Sequence, residues 1–185
     1  VTVNYMKVIS FSYGFFGMAA MLGILNLVLV SIRNKNNLTS IQPISTSIGN
    51  ITEMAVIIGL YMLTIGTFLG AVWANESWGR YWGWDPKETW ALVTVLVYTV
   101  VLHIRHIPGI KGVLPISIGS LIGLASVMMT YFGVNYFLSG MHSYAGGDAF
   151  VIPAYVNWIV YSLAALSVVA LIQNTLFNKQ HNIEE

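Results

Sequence analysis

Long apolar stretches alternate with short polar ones along the chain, and their spacing predicts membrane helices. No Asp, Glu, Lys or Arg occurs from Val8 to Ile32, Met54 to Asn75, Thr89 to Ile104, Gly112 to Gly147 or Ala149 to Asn178. A hydrocarbon core takes about 20 residues of helix. The fourth stretch is too long for one span and must contain a loop. Five helices are therefore predicted near 6–31, 51–74, 87–107, 115–138 and 153–177. The polar run of Asn34, Asn36, Asn37, Thr39, Ser40 and Gln42 predicts a solvated loop over 32–50. Pro108-Gly109 ends the third helix, and Pro115 and Pro153 suit the first turns of the fourth and fifth. Gly14, Gly17, Gly59, Gly66, Gly119 and Gly123 fall within spans, where small residues let helices approach closely.

Composition strengthens this reading. Of 185 residues, 56% are hydrophobic and 8% charged, against roughly 25% charged in an average soluble domain. So few charges cannot cover a water-soluble body, and lipid is the solvent implied. The fold class is all-α, a polytopic integral membrane helix bundle forming one membrane domain over 1–185. A net charge of +1 gives no electrostatic case for nucleic acid, and the absence of cysteine excludes disulfides, thiolate metal sites and Cys nucleophiles. The first residue is Val, with no signal-peptide pattern behind it, which fits the C-terminal part of a longer protein or a processed chain. Lys and Arg set the expected orientation. Arg33, Lys35, Arg105, Lys111 and Lys179 fall on one side, and Arg80 and Lys87 on the other. The first side reads as cytoplasmic, so the 75–90 and 139–152 loops face outward.

Five of the six tryptophans lie within 73–90: Trp73, Trp78, Trp82, Trp84 and Trp90. An aromatic belt at the membrane interface accounts for Trp73 and Trp90. It accounts less well for four tryptophans in thirteen residues with glycines between them. Belt and binding platform both stand at this point. Asp85-Pro86-Lys87-Glu88 reads as a helix N-cap, an N1 proline and the glutamate of a capping box. Lys87 and Arg80 are either interfacial anchors or partners for carboxylates of a ligand. Among the histidines, His181 falls in the polar tail and His106 at a helix end. His103 lies fifteen residues beyond Glu88, about 22 Å down a helix. That depth is within the bilayer, where an ionisable group reads as functional or as a neutral residue bonded to a neighbouring helix. His142 falls in the second outward loop, on the expected side of the tryptophans. A flat apolar surface, an imidazole and nearby cations are together what heme requires.

The pattern Trp78-Gly79-x-x-Trp82-x-Trp84-Asp85-x-Lys87-Glu88-x-Trp90 resembles the tryptophan-rich "WWD" signature of heme-handling proteins in cytochrome c biogenesis. Eight of its thirteen positions are fixed, which makes it specific. Gly140-Met141-His142-Ser143-Tyr144 resembles the second histidine motif of the CcsA-like portion of System II cytochrome c synthases, the CcsBA family. The likeness extends over essentially the whole chain. It implies transport of heme b across the cytoplasmic (inner) membrane and its attachment to Cys-x-x-Cys-His motifs of apocytochrome c. The alternative is a WWD heme carrier that delivers heme to a chaperone without lyase activity. By resemblance, His103 is a heme ligand within the membrane, and His142 is an axial and catalytic ligand of the external heme. Trp78, Trp82, Trp84, Asp85 and Trp90 shape the platform. The partners implied are apocytochrome c, membrane lipid and a CcsB-like portion supplying further helices and a heme-ligating histidine. The family carries another outward histidine before the signature, whereas residues 1–102 contain none. That histidine either precedes Val1 or is lacking.

Overall fold

Helices α1 (Thr2–Ser31) and α2 (Leu38–Trp78) pair as a long antiparallel hairpin. A computed structural model describes residues 2–108, 110, 112–138, 140 and 152–184. After the hairpin come α3 (Pro86–His103), a 3-10 turn (Ile104–His106) and α4 (Leu114–Met128). A π-helical turn (Met129–Gly133) then leads into α5 (Val134–Phe137), and α6 (Ala154–Glu184) closes the chain. The described residues contain no strand. Among the described residues, five helical segments are long and apolar enough to cross a membrane: Met6–Ser31, Leu38–Trp78, Pro86–His106, Leu114–Phe137 and Ala154–Phe177. The expected all-α membrane bundle is thus what the chain forms.

Glycine and serine contacts set the hairpin's register. A Cβ added at Gly59 would collide with the Phe16 ring, and one at Gly66 with Ile9. Further along, Ser45 Oγ donates to Asn26 Oδ1 at 2.5 Å, and Asn26 Nδ2 donates to Ser117 Oγ of α4 at 3.1 Å. In lipid an unmatched amide is costly, so this satisfied triad fixes three helices together. Gly119 meets Val101, and Gly123 meets Tyr98, which stacks on Phe16 at 3.8 Å between centroids. Phe16, Ala19, Ala55, Val56, Leu63, Tyr98 and Val127 form the main core. Gly14 and Gly17, by contrast, have nothing within 4 Å of an added Cβ, so the close approach expected of them does not occur.

The solvated loop expected over 32–50 shrinks to 32–37. Asn34 Oδ1 accepts from the amides of Asn36 and Asn37, and Asn37 Nδ2 donates to the Ile32 carbonyl. These bonds close a tight turn. The polar residues after it are helical because they pair with α1 and bury Ile41, Ser45 and Gly49. Arg33, expected as a surface topology marker, is only 8% exposed. It donates to Gln42 and Asn174, lies over the Phe177 ring, and its carbonyl accepts from Gln173. Burial pushes its pKa below the usual arginine value. Arg33 thereby ties α1, α2 and α6.

Three other boundaries differ from expectation. Helix α3 stops at His103 because Ile107 precedes Pro108 and is extended at φ −76°, ψ 123°; a residue before proline is driven out of the helical region. The last turn tightens to 3-10 instead. The fourth span contains the π turn, and α6 continues to Glu184 through the polar tail.

Candidate functional site

The tryptophan segment joins α2 to α3 at one end of the bundle. Helix α2 runs on through Asn75 to Trp78 and ends at Gly79, whose φ of 70° is left-handed and costs glycine least. Seven residues later α3 begins under the expected capping box. Asp85 Oδ2 accepts from the Lys87 amide at 3.3 Å, and Glu88 Oε2 accepts from the Asp85 amide at 3.2 Å. Glu88 Oε2 also accepts from the Gly83 amide at 2.8 Å, so one carboxylate organises the whole loop. Arg80 lies 3.8 Å from the other Glu88 oxygen and packs so closely on Gly83 that any side chain there would collide with it.

This loop folds over a cavity of about 420 Å3. That volume lies within the range of small-molecule sites. Ile9 and Tyr13 of α1, Trp73 of α2, Tyr81 and Trp82 of the loop, and Tyr131 of the π turn contribute its walls. Lys87 and Glu88 of α3 line it too. The cavity is thus aromatic and apolar, with the oppositely charged Lys87 and Glu88 in its wall.

The signature tryptophans occupy different places around it. Trp82 lines the cavity and meets Trp84 edge to face at 5.7 Å. Trp84 is 71% exposed and holds a left-handed φ of 57°, unusual for a bulky side chain. Strain of this kind collects at functional sites. Trp78 packs edge to face on Trp73 at 5.0 Å, and Arg80 lies 5.9 Å from the Trp78 ring centroid. Trp90 is half-buried one turn into α3, and its carbonyl accepts from Thr94 and from Thr130 of the π turn. Asp85, 6% exposed, is turned to the helix end. It acts on the site by shaping the loop.

Trp73, expected as a belt residue, lines the cavity. Sequence reasoning also missed Tyr13 and Tyr131, whose only signal was a polar tip inside an apolar span. His142 lies outside the described residues. Gly140, two positions before it, packs against the cap: a Cβ there would stand 2.5 Å from Asp85 Oδ1. His103 is not part of this cluster. It ends α3 at the other end of the bundle, exposed, with Nδ1 2.7 Å from the Thr99 carbonyl. A carbonyl only accepts, so in this bond Nδ1 is the donor. The His106 ring lies 5.8 Å away.

A family model described as cytochrome C assembly protein matches residues 6–142. Protein NrfI of Wolinella succinogenes is 47% identical over 144 residues, covering 78% of this chain and 16% of NrfI. Cytochrome c biogenesis protein CcsA of Guillardia theta is 38% identical over 158 residues, covering 76% of this chain and 52% of that protein. CcsA of Gloeobacter violaceus is 42% identical over 101 residues, 55% of this chain and 30% of CcsA. The chain thus spans between a sixth and a half of these relatives.

Proposed function

The chain belongs to the cytochrome c assembly protein family, and from that premise we propose that it handles heme as substrate in cytochrome c maturation. It does so by carrying heme across the cytoplasmic membrane and holding it for attachment to apocytochrome c. The observation that carries this reading is the aromatic cavity under the tryptophan loop, with Trp82 and Tyr81 on its wall and Gly140, which leads to His142 in sequence, packed on the Asp85 cap of that loop.

In this account the His103 end faces the cytoplasm and the tryptophan loop faces outward, as the Lys and Arg asymmetry favours. His103, whose Nδ1 is engaged by the Thr99 carbonyl, receives heme at the inner end. Trp82 and Tyr81 then take one face of the ring in the cavity, and His142 holds the iron axially. A CcsB-like portion supplies further helices and a partner histidine. The apocytochrome histidine replaces one axial ligand, and its two thiols add across the vinyl groups: each new C–S bond leaves the thiol hydrogen on the neighbouring carbon. This chain contributes orientation and ligation.

Co-expression of the full-length protein with an apocytochrome c alone tests the reading. Covalently attached heme without a separate heme chaperone is expected. Heme passed to a chaperone with no covalent product would identify a carrier instead, and no heme in either form would overturn the proposal.

A further inference from the structure

The cavity wall carries a cation whose placement an interfacial anchor does not explain. An anchoring lysine extends its ammonium toward lipid headgroups and water. Lys87 instead is half-buried, lines the cavity, and donates from Nζ to Asn135 Oδ1 at 3.2 Å. Asn135 is held in turn, its Nδ2 donating to the Tyr131 carbonyl at 2.7 Å. That bond fixes the amide flip so that oxygen faces the ammonium. Beside it Asp85 caps α3, and Glu88 accepts from two loop amides and pairs with Arg80. A half-buried ammonium held at the wall of a largely apolar cavity is placed to meet an anionic group of whatever fills it.

We infer that Lys87, held in place by Asn135, is the counter-cation for a carboxylate of the ligand in this cavity. On the reading of the cavity as a heme site, on which this inference rests, that carboxylate is a heme propionate. An ammonium suits the role, since a charge-assisted bond to carboxylate is about twice as strong as a neutral one. Pairing with the propionate orients the ring as well as retaining it.

The test compares heme with heme dimethyl ester, in which both propionates are neutral, on full-length protein in detergent. Wild type is expected to bind heme about tenfold more tightly than the ester, the effect of one charge-assisted contact. Lys87→Gln should lose that preference while binding the ester as wild type does, and Lys87→Arg, which keeps the cation, should retain it. Circular dichroism of each variant identifies any that fails to fold; should Lys87→Gln be one, Lys87→Met, which keeps the apolar stem and removes the charge, takes its place and should lose the preference in the same way. Equal loss of heme and ester in Lys87→Gln, or an unchanged preference, would overturn the role of Lys87. Failure of wild type to bind either compound would overturn the heme reading itself.

Discussion

At the scale of single residues, the tryptophan signature divides its labour. Trp82 faces the cavity, while Trp84 stands exposed beside it on strained backbone. Trp84→Ala should leave thermal stability within about 0.5 kcal/mol, as exposed substitutions do, and still lower the heme retained on purification. Trp82→Ala should lower it further, and unchanged heme content in Trp82→Ala would contradict its place on the wall. Asp85 plays a different part. Asp85→Ala removes the cap and should cost about 1 kcal/mol, read as a lower midpoint of thermal unfolding. Asp85 was legible in the sequence because a capping box spans four neighbouring residues. The convergence of Tyr13, Trp73 and Tyr131 was not, since it joins residues more than fifty positions apart.

At the scale of elements, close packing depends on glycines that look alike in sequence. Gly59 lies against Phe16, while nothing stands near Gly17. Gly59→Leu should destabilise the bundle by roughly 1–3 kcal/mol through overpacking, and Gly17→Leu should be tolerated. Thermal unfolding of both variants in one detergent measures the contrast, and equal midpoints would refute the packing assigned to Gly59. The five spans were legible because charge-free runs of that length have few soluble alternatives. The helical start of α2 was not. Its polar composition favours a loop, and only pairing with α1 through Ser45 and Asn26 overrides that preference. The 3-10 ending of α3 was partly written at Pro108. The π turn carries no comparable signal, and its Thr130 reaches the Trp90 carbonyl across helices.

At the scale of the whole molecule, the two ends of the bundle are built differently. One end holds the tryptophan loop and its cavity; the other holds His103, Arg105 and the Arg33 clasp. Elsewhere α6 is largely exposed, resting on Leu27 and Val30 through Ala170. Arg33→Ala should therefore free α6 at a cost of about 2 kcal/mol for the lost charged hydrogen bonds. Hydrogen exchange should speed up in 171–177 while α3 stays protected, and unchanged exchange there would show that the clasp does not hold α6. The central claim is that heme is held at the tryptophan end with His142 on its iron. It is tested most directly by the absorption spectrum of heme retained by full-length His142→Gly protein, with and without added imidazole. The account predicts heme lost or altered in its axial ligation, with the wild-type spectrum partly restored by imidazole. A variant spectrum identical to wild type without imidazole would contradict it.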